Sequence, residues 1–83
     1  MPEIKIGMVS TFFTRPVVAG IELSGDLNTG DLVRIKGHTT DIEFVVSSMQ
    51  VDNNPVASAK AGNTVGIKVT ERVRPGDTVY KVV

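Results

Sequence analysis

The sequence predicts an all-β fold, and the choice of apolar residues is the first observation that predicts it. Val, Ile and Thr account for 28 of the 83 residues, whereas Leu, Ala and Met account for 10. Side chains branched at Cβ lose rotamer freedom in a helix but pack well on a pleated sheet. Eight glycines and four prolines supply turns between the strands. A chain of this length has room for one hydrophobic core, so a single domain is predicted across residues 1–83.

Alternation of apolar and polar residues is the second observation, and it predicts six strands. The first five strands are amphipathic, and the sixth, Thr78–Val83, is partly apolar on both faces. In the fourth strand the apolar positions change from even to odd numbers near Ser47 and Ser48, which predicts a β-bulge there. The side chains predicted to face the core in the first five strands are Ile4, Ile6, Met8, Val17, Ala19, Ile21, Leu23, Val33, Ile35, Ile42, Phe44, Val46, Met49, Val51, Val65, Ile67 and Val69.

The segment between the fourth and fifth strands departs from this pattern. Asp52–Pro55 offers a helix cap followed by a proline suited to a first helical position, and Gly62 offers a stop. We therefore expect a short helical turn near residues 55–61. Because an open sheet of six short strands would leave two edges exposed, the expected architecture is a closed six-stranded β-barrel.

One local motif occurs three times, in Leu27–Ile35, Ala59–Ile67 and Val73–Lys81. Each copy has an apolar residue, two further residues, a glycine, an Asp or Asn, one more residue and then a valine. This order predicts an apolar plug followed by a turn in which the glycine takes a positive φ. The Asp or Asn side chain would then cap the turn before an inward-facing strand begins.

Four segments of the chain also follow one another in an order typical of known proteins, namely Val18–Ile35, Ser48–Val51, Ala59–Ile67 and Val73–Val79. They resemble the second domain of translational GTPases such as elongation factor Tu. The chain is more similar still to small free-standing elongation-factor-like proteins and to the C-terminal barrel of collagenase-like peptidases, in which a turn like Gly37–Thr40 is typical. The resemblance implies a closed six-stranded β-barrel of the translation-factor domain-2 type.

Composition and motifs argue against several classes of function. Nine basic and nine acidic residues balance, which argues against a strongly basic nucleic-acid module. The absence of cysteine and the single histidine, His38, leave no disulfide and no imidazole or thiolate metal site. No Gly-x-x-x-x-Gly-Lys-Ser/Thr motif is present, so we expect no GTP binding by this chain alone and no cofactor. We expect no enzymatic activity, because His38 has only Asp41 nearby in sequence to orient it. No apolar run is long enough for a membrane helix, and a cytoplasmic location is expected.

Binding residues are easier to nominate than catalytic ones. Phe12, Phe13 and Arg15 lie where a hairpin loop is expected. Neighbouring residues of a strand point to opposite faces, so one ring can plug the barrel while the other stays at the rim, where it could stack on a base or enter a partner's pocket. Alternatively, both rings close the end of the barrel.

Positive charge is concentrated in the last part of the sequence. Residues 60–83 carry five basic and two acidic side chains, a net charge of +3 that residues 1–59 balance. If the strands that carry these residues are neighbours, they form a local basic patch; otherwise the charges are simply solvated. The further candidate binding residues are Arg34, Lys36, His38, Lys68, Arg72 and Arg74.

Two functions remain after these exclusions. The first is a non-enzymatic, translation-factor-like module that binds RNA or a ribonucleoprotein, with modest and salt-dependent affinity. The second is a protein-interaction or accessory barrel that works with a separate catalytic subunit, as the likeness to the peptidases implies. Scattering of the candidate basic residues around the fold would weaken the RNA hypothesis.

Overall fold

The part of the chain that the structure describes forms ten β-strands. A computed structural model describes residues 2–14 and 17–83, and these two ranges contain no helix. The all-β prediction is therefore confirmed, although the sequence pattern joined two strands within residues 41–51 into one and missed the short strands Leu27–Asn28, Asn54–Val56 and Ser58–Ala59. The strands are β1 (Glu3–Thr14), β2 (Val17–Leu23), β3 (Leu27–Asn28), β4 (Leu32–Lys36), β5 (Asp41–Val45), β6 (Met49–Val51), β7 (Asn54–Val56), β8 (Ser58–Ala59), β9 (Thr64–Lys68) and β10 (Thr78–Val82).

Eight of the strands form one antiparallel sheet in the order β5-β4-β10-β1-β2-β9-β6-β7. The other two, β3 and β8, pair with each other in a short ribbon. The prediction of a closed six-stranded β-barrel is wrong, because β5 and β7 form free edges and no ladder joins them in residues 2–14 and 17–83.

The path of the chain after β5 gives the physical reason why this edge stays unpaired. The Val46 amide donates to the Asp31 carbonyl at 2.9 Å, and the Val46 carbonyl accepts from the Gly30 amide at 2.8 Å. These bonds draw the chain towards the connection between β3 and β4. Only Val46–Ser48 then remain before β6, and they can span at most about 14 Å. The sheet therefore curls so that the end of β5 comes close to the start of β6. Residues 46–48 join these strands through the backbone, where a closed barrel would have ladder hydrogen bonds.

The core is aliphatic and largely as predicted. Three of the side chains predicted to face inward are instead exposed, Ile4 by 54%, Met8 by 41% and Val17 by 37%. The first two lie on either side of a register shift between Lys5 and Gly7 in the β1–β10 ladder. This shift changes the phase of β1, so that Ile6 and Val9 are the buried pair. The buried apolar residues are Ile6, Val9, Ala19, Ile21, Leu23, Leu27, Val33, Ile35, Ile42, Phe44, Val46, Met49, Ala59, Val65, Ile67, Val69, Val73 and Val79.

The phase change near Ser47 and Ser48 is produced by a break between strands. Val46 and Met49 are both buried, as the sequence predicts, while the two serines between them are exposed. β5 ends and β6 begins on either side of this link, so the chain reorients without a bulge inside a continuous strand.

The helical turn predicted for residues 55–61 is wrong, because this segment belongs to strands β7 and β8. Asp52 and Asn53 have φ values of +52° and +64° and form the two-residue loop of the β6–β7 hairpin. Asp and Asn tolerate this left-handed conformation, and two such residues in succession suit a type I′ hairpin turn. Pro55 lies in the edge strand β7, where a missing amide proton costs little.

Three turns of the chain share one hydrogen-bond pattern, which confirms the prediction from the repeated motif. The apolar residue that precedes each turn is buried. The third residue of each turn is a glycine with positive φ, as a type II turn requires, namely Gly30 (+90°), Gly62 (+94°) and Gly76 (+94°). The fourth side chain accepts the amide of the first residue, Asp31 from Asn28 at 2.9 Å, Asn63 from Lys60 at 3.0 Å and Asp77 from Arg74 at 2.9 Å.

Each of these turns also holds the backbone of one buried aliphatic residue. The glycine amide donates to the carbonyl of that residue, whose own amide donates to the carbonyl of the turn's fourth residue. The six bonds measure 2.8–2.9 Å, and the residues held are Val46 by the first turn, Leu23 by the second and Val9 by the third. The turns therefore fasten distant strands together as well as reversing the chain.

Candidate binding site

The antiparallel sheet brings most of the predicted binding residues to one end of the molecule. The end of β1, the connection between β4 and β5 and the connection between β9 and β10 all lie on the same side of the sheet along the strand direction. We call this the loop end, comprising residues 12–14, 36–41 and 68–77. It contains Phe12, Phe13, Lys36, His38, Lys68, Arg72 and Arg74. Arg15, which was also predicted to bind, lies outside the described residues.

The two phenylalanines differ in their surroundings. Phe12 is half-buried and packs against the core, whereas Phe13 is 57% exposed. This is the arrangement that opposite orientation along a strand predicts, and it differs from the alternative in which both rings close one end of the fold.

A cleft at the loop end combines aromatic and cationic side chains. It has a volume of about 510 Å³ and is lined by Phe12, Arg72, Val73, Arg74 and Pro75. Val73 and Pro75 belong to this cleft but were not among the predicted binding residues. The repeated motif does include Val73, yet the motif alone predicts only that the residue is buried.

The loop that carries the two arginines is held firmly at its end. Val73 is 1% exposed and anchors the segment in the core, while Arg72 and Arg74 on either side of it are exposed. The Arg74 amide donates to Asp77 Oδ2 at 2.9 Å, and the Asp77 amide donates back to the Arg74 carbonyl at 3.1 Å. Pro75 further restricts the backbone because its ring fixes φ. A ligand would therefore meet a backbone that is already ordered.

The Arg34 side chain is bound by two carboxylates and does not line this cleft. Its Nε donates to Asp41 Oδ1 at 2.9 Å, its Nη2 to Asp41 Oδ2 at 3.0 Å and its Nη1 to Glu3 Oε2 at 3.1 Å. The hydrogen bonds to Asp41, followed by the bond to Glu3, raise the pKa of the Arg34 guanidinium, and the bonds from Arg34 lower the pKa of Asp41. By contrast, Arg72 and Arg74 form no ion pair with any carboxylate in residues 2–14 and 17–83.

The strands that carry the candidate basic residues are not neighbours in the order of the sheet. Three strands, β10, β1 and β2, lie between β4, which carries Arg34 and Lys36, and β9, which carries Lys68. Lys36 lies opposite Thr78, next to the turn of Asp77, and a Cβ built at Gly37 would overlap the Asp77 carboxylate, so the exposed turn of His38 borders the arginine loop. Lys68 lies opposite Val18 and lines a separate pocket with residues of β5.

A second depression lies on the outer face of the sheet. Gly20 and Gly66 are opposite each other in β2 and β9, and Gln50 is opposite Gly66 in β6. Because the two glycines have no side chains, the surface is depressed next to Thr11 and the exposed ring of Phe13. The depression has a volume of about 500 Å³. No sequence pattern predicts this depression, because it depends on which glycines the strand register brings together.

Neither a metal-binding cluster nor a membrane-spanning helix is found in the described residues. Within residues 2–14 and 17–83, no three His, Cys, Asp or Glu side chains cluster closely enough to hold a metal ion. In the same two ranges, no helix could span a membrane.

Comparisons with known proteins point to proteases. Over 79 residues, 94% of this chain and 19% of the relative, the sequence is 47% identical to an uncharacterized protease of Methanocaldococcus jannaschii. Over 81 residues, 95% of this chain and 20% of the relative, it is 35% identical to a collagenase of Porphyromonas gingivalis. No protein-family model matches the chain.

A solved structure shares the fold. The C-terminal domain of a Geobacillus thermoleovorans protein assigned as a U32 peptidase superposes with a TM-score of 0.90 at 18% identity, covering 96% of this chain and 93% of that one. The peptidase part of the predicted resemblance is therefore confirmed, while the likeness to elongation factor Tu stays a prediction. The chain spans about a fifth of the length of the curated relatives it matches. It is thus homologous to one segment of these proteases and has the all-β fold of a U32 peptidase C-terminal domain.

Proposed function

We propose that this chain is a non-catalytic accessory domain that works with a separate protease catalytic unit. One observation carries the proposal: the chain matches, at 47% identity, a segment that makes up only 19% of a protease. Because the relative devotes most of its length to other sequence, the chemistry of peptide hydrolysis is assigned to that remainder. The matched segment is assigned to binding or positioning.

The polar residues of the chain support a role without catalysis. His38, the single histidine, lies in an exposed turn. The carboxylate nearest to it in sequence, Asp41, is already bound by Arg34 through two hydrogen bonds. A general base needs an orienting partner and a nucleophile within hydrogen-bond reach. Ser47 and Ser48 follow β5 at the opposite end of that strand from His38, so they do not supply one.

The arrangement of charge supports a protein partner over RNA. A module that binds a nucleic-acid backbone needs several cations aligned along the path of the phosphates. Here Arg34 is neutralised by two carboxylates, and three strands lie between those that carry Lys36 and Lys68 in the order of the sheet. What remains is a small cationic cleft beside an aromatic ring, which suits a local contact with a folded or extended protein.

A chimera tests the proposal. The matching segment of the Porphyromonas gingivalis collagenase is replaced by this chain, and collagen cleavage is compared with that of the intact collagenase and of a collagenase lacking the segment. We expect the deletion to lose most of its cleavage rate and the chimera to recover it to within about tenfold. Circular dichroism of all three proteins controls for folding.

Two results would overturn the proposal. One is a deletion variant that is folded and cleaves collagen as fast as the intact collagenase, because the segment would then contribute nothing to proteolysis. The other is collagen cleavage by this chain on its own.

A further inference from the structure

We propose that the cleft formed by Phe12, Arg72, Arg74 and Pro75 binds an acidic peptide segment of the catalytic unit, in which carboxylates flank an apolar side chain. This inference rests on the proposed accessory function and specifies the surface and the chemistry through which it acts. The argument depends on the unpaired arginines, the exposed apolar lining of the cleft and the rigid loop beneath them.

The two arginines are the first part of the argument. Two cations on the strands have carboxylate partners: Arg34 pairs with Asp41 and Glu3, and Lys81 Nζ lies 3.4 Å from Asp31 Oδ2. Arg72 and Arg74 instead stand exposed, two residues apart, with no carboxylate of residues 2–14 or 17–83 bound to them. Two like charges held close together repel each other, so a carboxylate ligand relieves that repulsion and accepts the guanidinium hydrogen bonds.

The lining of the cleft is the second part. Phe12 is only half-buried, and together with Pro75 it presents apolar surface in the same cleft as the two arginines. An inorganic ion would leave this apolar surface in contact with water, whereas an aliphatic or aromatic side chain next to an acidic residue would cover it. The combination therefore selects a peptide segment over a free anion.

The rigidity of the loop is the third part. Val73 is buried between the two arginines, and the Gly76 amide donates to the Val9 carbonyl at 2.8 Å while the Val9 amide donates to Asp77 at 2.8 Å. The loop is thus fastened to β1, the strand that carries Phe12. The backbone segments that carry the cations and the ring are joined before a ligand arrives, which reduces the entropy cost of binding.

Charge complementarity favours an acidic partner. The charged side chains that line the cleft are the two cations Arg72 and Arg74. Two cations in one cleft attract an acidic segment and repel a basic one. We therefore assign the cleft to the partner's acidic segment.

Fluorescence anisotropy with a labelled peptide tests the inference on the isolated chain. The probe is the peptide Asp-Glu-Phe-Asp-Glu, its neutral counterpart is Asn-Gln-Phe-Asn-Gln, and a single-stranded RNA of similar length is measured in parallel. The test variant is R72Q/R74Q, and the matched control is K5Q/K60Q, which removes the same charge at two exposed lysines distant from the cleft. We expect the acidic peptide to bind at least tenfold more tightly than the neutral peptide. R72Q/R74Q should weaken its binding at least tenfold, and K5Q/K60Q by less than about threefold.

Several results would overturn the inference. These are equal binding of the acidic and neutral peptides, equal weakening by the two double variants, and tighter binding of the RNA than of the acidic peptide. Self-association that is lost in R72Q/R74Q, measured by sedimentation, would assign the cleft to a second copy of this chain.

The collagenase chimera separates failure of this inference from failure of the proposed function. If the chimera restores collagen cleavage with R72Q/R74Q as well as with the native arginines, the cleft is not the docking site, although the accessory function stands. If the chimera fails while the isolated chain binds the acidic peptide as expected, the accessory function fails and the peptide-binding cleft remains.

Discussion

Replacement of Gly76 by alanine offers a direct test of how the turns stabilise the fold. Gly76 has a φ of +94°, and a Cβ built at this position would meet no heavy atom within 4 Å. The cost of Gly76→Ala therefore comes from the backbone conformation alone, about 1–2 kcal/mol for an L-residue at positive φ. For a domain of this size, each 1 kcal/mol lowers the melting temperature by about 4–8 °C. We expect a decrease of about 4–16 °C in thermal unfolding followed by far-UV circular dichroism.

Gly66→Ala is the matched control for this experiment. Gly66 lies in β9, and its added Cβ would contact only Val18 Cγ1 at 3.4 Å, an ordinary van der Waals distance. Without the positive φ, the lower entropy of the unfolded chain should leave the protein unchanged or stabilise it by about 0.4–1 kcal/mol. The reasoning would be refuted if Gly76→Ala melted at the native temperature, or if Gly66→Ala destabilised the protein as much.

Three further predictions concern individual side chains. Asp77→Ala, which removes the acceptor of the Arg74 amide, should cost about 1–2 kcal/mol in urea unfolding, and Asp77→Asn should cost clearly less because its amide oxygen can still accept. Phe12→Ala should lower the free energy of unfolding by about 2 kcal/mol or more because Phe12 packs on the core, whereas the exposed Phe13→Ala should change it by less than about 0.5 kcal/mol; equal losses would contradict the assignment of Phe12 to the core. Because Arg34 holds the pKa of Asp41 below its ordinary value of 3.8, the stability that this pair contributes should be complete above that pH and disappear as the pH falls below it. In Arg34→Gln, nuclear magnetic resonance titration should find the pKa of Asp41 raised, and an unchanged pKa would contradict the contact.

Local features of the fold could be predicted from sequence because the residues that cause them are adjacent. The turn at Gly76 follows from a glycine that can take positive φ and an aspartate that can accept the amide three residues earlier. The same chemistry is repeated at Gly30 and Gly62. Burial of Val33, Val65 and Val79 follows from alternation after each turn.

Two errors came from competition between local signals. Asp52 and Asn53 are common at helix caps, but they are equally suited to a left-handed hairpin loop, and the pairing of β6 with β9 favours the hairpin. In β1, the register shift between Lys5 and Gly7 reverses the inward face partway along the strand. No residue type in this segment predicts such a shift. The alternation pattern therefore predicted that Met8 faces the core and did not predict the burial of Val9.

The remaining differences depend on partners that are distant in sequence. Whether β5 pairs across to β6 or β7 is decided by the bonds of Val46 to the first turn, and strand alternation contains no information about them. The arginine cleft likewise required the strand order, since Phe12 and Arg74 are 62 residues apart in sequence and meet only because the third turn is fastened to β1. Whether the basic residues share one surface depends in the same way on the strand order, which places three strands between β4 and β9.

The unpaired margins of the sheet have a consequence for the behaviour of the protein at high concentration. Unpaired backbone groups at a sheet margin are a template on which further chains can polymerise. On one side, β5 carries the carboxylates of Asp41 and Glu43, so a second copy aligned there would bring like charges together. On the other side, β7 is only three residues long and contains Pro55, which cannot donate a hydrogen bond to an incoming strand. These residues oppose growth into fibres even though the two edge strands are unpaired.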